Sequence, residues 1–234
     1  MIKRAIIFAA GVGRRLKLNH QHKSLLNING EILIEKIITN LLVAKVNEII
    51  VITGYRHQDF LYLVDKYVQV KLVHNAQYEN GSSAYAGYLV KDYLQDNTII
   101  ISGDMVMGRN FFMNLTAKPI MCAVKRVTKK IDWVYNIGND NNIIGYEKSN
   151  NMHKLLLGEW SLLDERWAKA IREQLQIKFA KNEISQYQMV DILIASALKN
   201  KIVIAPYILS EDDQWDIDTP EDLEISVAKT IKIS

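Results

Sequence analysis

The chain opens with Ile6-Ile7-Phe8-Ala9-Ala10-Gly11-Val12-Gly13-Arg14-Arg15-Leu16, a short apolar strand that runs directly into a glycine turn. Small residues and two glycines let the backbone approach a ligand closely and point successive N–H groups at it. Arg14 or Arg15 adds a planar cation suited to phosphate oxygens, and Lys23 can supply a second charge. The stretch therefore predicts a phosphate-binding loop at the end of the first strand.

This loop matches neither of the two common glycine motifs. The Walker pattern ends in Gly-Lys-Ser/Thr, which is absent here. The dinucleotide pattern needs a third glycine where Leu16 stands, and an acid at the end of the second strand, where Thr53-Gly54 stand. The sequence therefore disfavours a dinucleotide oxidoreductase, and only tight binding of NAD without magnesium would revive that alternative.

Strands and helices alternate through the first half of the chain. Apolar runs predict strands over 6–9, 48–53, 70–74 and 98–102, and helical periodicity predicts helices over 32–43, 57–66 and 82–94. Such alternation is typical of a parallel sheet covered on both faces. The sequence thus predicts an α/β fold.

After Pro119 the predicted strands and helices no longer alternate regularly. Strands are predicted over 120–127, 133–137, 143–146 and 202–208, and helices are predicted to begin at Ser161, Ser185 and Thr219. The last of these is the clearest, because Thr219-Pro220-Glu221-Asp222 offers a cap, a proline at the first helical position and acids in the first turn.

The composition limits the class of protein. With 234 residues, 49% apolar and 24% charged, we expect a single globular domain over 1–234. A net charge of +3 without a long basic run argues against a nucleic-acid partner. The single cysteine, Cys122, indicates a cytoplasmic protein without a disulfide framework. The apolar run that ends at Gly11 is too short for membrane insertion or a signal peptide.

Six motifs, in the same order, resemble those of the nucleotidyltransferases of the sugar-phosphate and phosphocholine type. They are Ala9 to Leu16 followed by Lys23, Leu33-Ile34-Glu35, Val51-Ile52-Thr53-Gly54-Tyr55, Asn75 with Gly81-Ser82-Ser83, Gly103-Asp104, and Trp215 to Leu223. The chain departs from the family at His22, where proline commonly precedes the lysine. Within the family, the third motif and the tryptophans of the second half are most similar to bacterial CTP:phosphocholine cytidylyltransferases.

The resemblance implies a three-layer α/β/α, Rossmann-like fold with a mixed, mostly parallel sheet and a small acceptor-binding insertion. It implies a nucleotide-binding half over about 1–118 and an acceptor-binding half over about 119–234. The expected reaction joins a nucleoside monophosphate, with CTP favoured as its source, to a small phosphorylated acceptor, and releases pyrophosphate. Arg14, Lys23 and Asp104 are the expected catalytic residues. The expected nucleotide-binding residues are Ala9, Ala10, Gly11, Gly13, Arg14, Lys23, Asn75, Gly81, Ser82 and Ser83.

Three aspartates are candidate ligands for Mg²⁺, the expected cofactor. Asp104 ends a predicted parallel strand, where ligands of open α/β sheets collect. Asp216 and Asp218 are one residue apart in extended chain, so both can face one side. Magnesium prefers oxygen ligands and usually takes few protein carboxylates plus substrate phosphates. The resemblance implies ligands at Asp104 and Asp218, with Asp216 as an additional one, whereas singly each could be a turn or cap residue.

Aromatic residues of the second half are candidates for acceptor binding. The resemblance places Trp133, Trp160, Tyr187 and Trp215 near a pocket whose aromatic faces would attract a quaternary ammonium, with Asp216 as a negative wall. Core packing is the alternative for each, and we expect it for Trp167. Lys148 resembles the lysine that sugar-1-phosphate enzymes use on the sugar phosphate.

Alternatives remain open at this point. A sugar-1-phosphate nucleotidyltransferase that makes an NDP-sugar is one, and a non-catalytic nucleotide-binding regulatory domain is another. The nucleotide base, the acceptor and the number of metal ions also stay open, as does the oligomeric state, for which a homodimer is one candidate. The five histidines show no metal-binding spacing and are predicted to be surface or loop residues.

Overall fold

The computed structural model of the chain describes residues 1–16, 18, 20–116, 118–125, 127 and 130–233. Within these residues the strands are β1 (Arg4–Ala9), β2 (Asn27–Ile28), β3 (Glu31–Ile32), β4 (Glu48–Thr53), β5 (Val70–His74), β6 (Thr98–Ser102), β7 (Met105–Met107), β8 (Ile120–Val124), β9 (Asp132–Ile137), β10 (Ile143–Ser149), β11 (Leu156–Leu162), β12 (Ala205–Leu209) and β13 (Gln214–Asp216). The α-helices are α1 (Leu33–Val43), α2 (Tyr62–Lys66), α3 (Ser83–Leu89), α4 (Glu165–Ala180), α5 (Met189–Lys199) and α6 (Pro220–Ile233).

The centre of the main sheet is parallel, in the order β6-β1-β4-β5. β11 joins the far side of β6 antiparallel, and it carries β8 with β12 on one branch and the β9–β10 hairpin on the other. The strands are rich in Ile and Val because a sheet buried on both faces needs apolar side chains in both directions. All four central strands therefore end at the same edge.

Alternating side chains of the central strands enter two separate cores. Ile7 and Val51 pack on one face with α1, and Ile6, Ile50 and Ile52 pack on the other with α3, α4 and α5. Trp167 is fully buried in the second core, as predicted. The α/β/α, Rossmann-like fold with its mixed sheet is thus confirmed.

Two helix starts in the second half were predicted wrongly. Ser161 lies inside β11, and the helix after it is α4, capped by Asp164, whose side chain accepts the N–H of Trp167. At Ser185 there is only a single 3₁₀ turn, and α5 begins at Met189 behind a reciprocal cap between Gln188 and Asp191. A serine is a competent cap, but here nearby residues offer caps that suit the tertiary structure better.

The helices predicted over 57–66 and 82–94 are shorter than expected. The first is a 3₁₀ turn followed by α2, and the second stops at Leu89 before another 3₁₀ turn. The strand predicted over 120–127 ends at Val124, and Ala205 rather than Ile202 begins β12.

A small ribbon that was not predicted connects the middle of the chain to its last helix. β7 and β13 pair antiparallel, with Asp216 opposite Met105. Val106 and Ile217 anchor this ribbon in a third apolar cluster, against which Trp215 and Leu223 pack. The register brings Asp216 beside Asp104, which immediately precedes β7.

In the described part of the chain, no helix is both long and apolar enough to cross a membrane.

Candidate active site

Segments that follow β1, β5 and β6 line a cavity of about 480 Å³, which we call the loop cavity. Ligands of open α/β sheets collect at this edge. All ten residues predicted to bind the nucleotide line the loop cavity, as do Asp104 and Asp218. Lys23 and Asp218, which are 195 positions apart in sequence, therefore face one space.

Glycines around the loop cavity leave room beside the backbone and allow conformations that side chains disfavour. A side chain at Gly11 would meet nothing within 4 Å, so the space beside this backbone is free for a ligand. Gly13 has a φ of +64°, which L side chains rarely adopt. A Cβ at Gly81 would lie 2.8 Å from the Gln77 carbonyl oxygen. Beside it, the Ser82 hydroxyl accepts the Tyr85 N–H as the cap of α3.

Lys23 lies between the two distant aspartates. Its ammonium forms ion pairs with Asp104 and, at 2.9 Å, with Asp218. Burial alone would lower the pKa of Lys23, but the charges of Asp104 and Asp218 and its hydrogen bonds to them raise it above its ordinary value. Arg15, largely exposed, reaches the second oxygen of Asp218 at 2.6 Å. The charged Lys23 side chain therefore links Asp104, near the middle of the chain, to Asp218, near its C-terminus.

The pKa values of Asp216 and Asp218 are shifted in opposite directions, although only Ile217 separates the two residues. Asp216 is exposed to the aromatic cavity described below, but the surrounding protein lowers its solvation, and this effect with the charges of Asp218 and Asp104 raises the pKa of Asp216 to about 7. Enclosure would also raise the pKa of Asp218, but the hydrogen bond from Lys23 and the charges of Lys23 and Arg15 lower it below its ordinary value.

These acids could hold a hard divalent cation. Among the described residues, no three His, Cys, Asp or Glu side chains form a ready metal-binding group. Magnesium does not require one, because it usually takes one or two carboxylates and completes its shell with water and substrate phosphates. Asp104 and Asp218, already close enough to share one ammonium, supply that number of oxygen ligands, and Asp216 is adjacent.

His22 lies in a loop, as predicted, but it is buried rather than at the surface. It is 2% exposed, and its ring meets Phe60 edge-on at 4.8 Å between centroids. Its Nδ1 accepts the Ser24 N–H at 3.0 Å, which leaves the proton on Nε2. Burial lowers the pKa of His22 to about 4, so the ring is neutral.

A second cavity of about 950 Å³, the aromatic cavity, adjoins the loop cavity. Trp133, Trp160, Trp215 and Asp216 line it. The two cavities share Phe8, Arg15, Ser83, Ser102 and Asp218 as lining residues. Groups bound in the two spaces would therefore meet beside Asp218 and Arg15.

The three tryptophans of the aromatic cavity differ in how much of each ring is free. Trp133 is 45% exposed, with the Lys148 ammonium 5.0 Å from its ring centroid. Trp215 donates from Nε1 to Ser226 at 2.7 Å, and the Lys229 ammonium lies 4.9 Å from its ring centroid. Each of these two rings thus already attracts an ammonium group.

Trp160 belongs mainly to the core. It is 2% exposed and packs against Phe111 and Tyr207. Its Nε1 is buried without a hydrogen-bond partner among the described residues. Trp160 therefore borders the aromatic cavity without presenting a free ring to it.

Two of the residues expected at the acceptor lie elsewhere among the described residues. Tyr187 lines neither cavity, and its hydroxyl accepts from the Lys178 ammonium at 2.6 Å. Lys148 stands on β10 over Trp133 and also lines neither cavity.

Sequence reasoning missed Glu159, which lines the aromatic cavity. Enclosure by protein and the charges of Asp216 and Asp104 raise the pKa of Glu159 well above its ordinary value. The only sequence signal is an acid beside a glycine within the apolar run Leu155-Leu156-Leu157-Gly158-Glu159-Trp160.

Comparisons with known proteins identify relatives of this chain. Choline-phosphate cytidylyltransferase of Haemophilus influenzae is 34% identical over 142 residues, 60% of each protein. A 2-aminoethylphosphonate cytidylyltransferase of Lancefieldella rimae is 29% identical over 158 residues, 66% of this chain and 64% of that protein. The matched stretches thus span slightly less than two thirds of these relatives.

The fold matches over nearly its whole length. A solved structure of CTP:phosphocholine cytidylyltransferase from Streptococcus pneumoniae superposes with a TM-score of 0.88 and 26% identity, covering 97% of this chain and 99% of that one. The model of the MobA-like NTP transferase domain matches residues 5–179, from β1 into α4. The chain belongs to the MobA-like NTP transferase domain family.

Proposed function

We propose that this protein is a magnesium-dependent cytidylyltransferase that transfers CMP from CTP to phosphocholine or a similar small phosphomonoester and releases pyrophosphate. The observation that carries the proposal is Lys23, which joins Asp104 to Asp218 where the loop cavity meets the aromatic cavity. This is where a triphosphate and a second phosphate would have to meet.

The chemistry requires charge neutralisation more than acid–base catalysis. A phosphomonoester has a second pKa of about 6, so at neutral pH the acceptor is already largely a dianionic nucleophile. The chain's task is to hold two anions in line and to offset their charge. The backbone around Gly11 and Gly13 and the cations of Arg14 and Lys23 would hold the triphosphate, while Arg15 faces both cavities.

Asp104 and Asp218, with Asp216 beside them, would hold the magnesium ion. When bound, the ion supplies positive charge to the reacting phosphate oxygens. Without the ion, Lys23 neutralises Asp104 and Asp218. Once the ion neutralises these two aspartates, the Lys23 ammonium would be free to pair with the phosphates. Four further lining residues of the loop cavity would contact the nucleoside, namely Asn75, Gly81, Ser82 and Ser83.

The nature of the acceptor is supported by the aromatic cavity and by the relatives. Two of its tryptophan rings attract ammonium groups of the chain itself, at 5.0 and 4.9 Å. The relatives are named for choline phosphate and 2-aminoethylphosphonate, and both compounds combine an ammonium with a phosphorus-containing anion. Lys148, on which the sugar-phosphate alternative rests, lines neither cavity.

Pyrophosphate release tests this function. The four nucleoside triphosphates are assayed with magnesium and with phosphocholine, 2-aminoethylphosphonate or glucose-1-phosphate. We expect the highest turnover with CTP and an ammonium-bearing acceptor. We expect Asp104→Asn to lower kcat/KM at least about a hundredfold, because it removes a charge next to the reacting phosphates.

Asp96→Asn is the matched control, because Asp96 and Asp104 flank opposite ends of β6 and Asp96 pairs only with the surface residue Lys118 among the described residues. It should keep near-wild-type activity. Turnover only with glucose-1-phosphate would instead identify an NDP-sugar synthase. Triphosphate binding without any turnover would indicate a regulatory domain and refute the proposal.

A further inference from the structure

We propose that Glu159 is the counter-anion of the acceptor's cationic head group and so makes this enzyme prefer ammonium-bearing acceptors. The inference rests on the proposed cytidylyl transfer and specifies what recognises the acceptor. It starts from a carboxylate that the fold places in the aromatic cavity without a cation of its own.

An irregularity in β11 aims Glu159 into the cavity. The pairing of β11 with β8 shifts in register between Leu157 and Ser161, whereas the pairing of β11 with β6 is regular from Trp160 to Leu162. Such bulges re-aim side chains and are frequent at binding sites. Gly158 makes this one fit, because a Cβ there would lie 2.4 Å from the Cys122 sulfur. A specific backbone feature thus directs this acid toward the cavity.

Most other acids around the aromatic cavity already have partners. Asp218 pairs with Lys23 and Arg15, and Asp222 accepts the Thr219 N–H within the cap of α6. Glu211 accepts the Val127 N–H. Within the described residues, by contrast, no ammonium or guanidinium forms an ion pair with Glu159 or Asp216. The nearby Ser102 hydroxyl donates its proton to Asp104 and carries no charge that could balance Glu159.

The balance of charge favours a cationic ligand. Seven acids line the cavity, namely Asp132, Glu159, Glu211, Asp216, Asp218, Glu221 and Asp222, against the described cations Arg15, Lys130 and Lys229. An enclosed, unpaired carboxylate is costly unless a ligand completes it. A sugar hydroxyl would leave that charge unbalanced, whereas an ammonium would balance it and also face the rings of Trp133 and Trp215.

Two acceptors of the same shape, one cationic and one neutral, separate the effect of the head group's charge from the effect of its size. Phosphocholine and 3,3-dimethylbutyl phosphate differ only in a nitrogen cation replaced by a neutral carbon. For Glu159→Gln we expect the KM for phosphocholine to rise about tenfold or more, a change of about 1.4 kcal/mol in binding. The KM for dimethylbutyl phosphate and the KM for CTP should stay within about twofold, since neither ligand places a cation beside residue 159.

Glu221→Gln is the matched control, because it makes the same change at an exposed acid of the same cavity, at the start of α6. It should leave both acceptors within about twofold of wild type, since water already screens that charge. Equal losses for the two acceptors in Glu159→Gln, or a fall only in kcat, would overturn the inference, because they indicate a role in the bulge or beside the phosphates.

Choline binding, measured by calorimetry on the full chain, separates this inference from the proposed reaction. If no acceptor is turned over, the proposed function fails, yet choline binding weakened about tenfold by Glu159→Gln would still support the subsite. Unchanged choline binding would refute it. Glu159→Met, of similar length, is the second variant should the glutamine variant unfold.

Discussion

His22 and Lys23 are adjacent residues of the same cavity, but the first is neutral and the second is positively charged. Burial keeps the His22 ring neutral, with its pKa at about 4, while the aspartates on either side keep Lys23 charged. His22 also accepts the Ser24 N–H, so its ring fixes the turn that carries Lys23. The residue at position 22 therefore positions the lysine without adding charge next to it.

The buried His22 makes stability depend on pH. Its pKa is about 4 in the folded protein and 6.5 when the chain is unfolded, so between these values the unfolded chain binds the additional proton. The contribution is complete above pH 6.5 and is lost as the pH falls towards 4. In urea unfolding between pH 6 and 4.5, wild type should lose about 1.4 kcal/mol per pH unit more than His22→Gln. Parallel pH profiles of the two proteins would contradict a neutral, buried ring.

At the scale of elements, the site depends on two features that are short and non-local. The ribbon of β7 and β13 has three residues in each strand, too few for an alternating pattern to be recognised. The bulge in β11 is a register shift against β8, a strand more than thirty positions away in sequence. By contrast, β4, β5 and β6 were predicted with correct bounds, because short apolar segments followed by Gly or Asn are local signals.

Gly158 and Gly145 provide a matched test of the bulge. Both lie at register irregularities, in β11 and β10, but a Cβ at Gly158 would lie 2.4 Å from the Cys122 sulfur and at Gly145 no closer than 3.7 Å to any neighbour. We expect Gly158→Ala to destabilise the fold by about 1–3 kcal/mol through overpacking. Gly145→Ala should change stability by less than about 1 kcal/mol. Equal unfolding midpoints in urea would show that the bulge does not need glycine.

The same contrast between local and distant signals explains which site residues were predictable. The loop cavity is built from segments directly after strands, so a motif read along the chain places its members together. The aromatic cavity is built from β9, β11 and the approach to α6, and their relative positions follow from packing. Trp160 and Tyr187 were both expected at the acceptor, but Trp160 borders the aromatic cavity mainly as a core residue and Tyr187 lines neither cavity. Glu159 was overlooked.

For the whole molecule, Lys23 links the binding of metal to the binding of nucleotide. Its ammonium occupies the space between Asp104 and Asp218, so a divalent cation and this ammonium compete for the same oxygens. Triphosphate offers Lys23 a second set of anionic partners. The two ligands should therefore strengthen each other's binding, as reciprocal coupling requires.

Thermal unfolding with Mg²⁺, CTP or both tests this coupling. In wild type we expect Mg²⁺ alone to raise the unfolding temperature little, and the two ligands together to raise it by more than the sum of their separate shifts. In Lys23→Met the acids lose their resident cation, so Mg²⁺ alone should bind about tenfold more tightly or better, about 1.4 kcal/mol. Equal shifts with Mg²⁺ alone in both proteins would exclude competition by Lys23.

The wall shared by the two cavities has a consequence for how the catalytic cycle ends. A molecule made by joining a nucleotide to an acceptor would reach into both spaces across Ser83, Ser102 and Asp218. It would keep both sets of contacts while losing its freedom of movement only once, as in bivalent ligands. The finished product is therefore the species that should dissociate most slowly, and escape rather than bond formation would limit turnover.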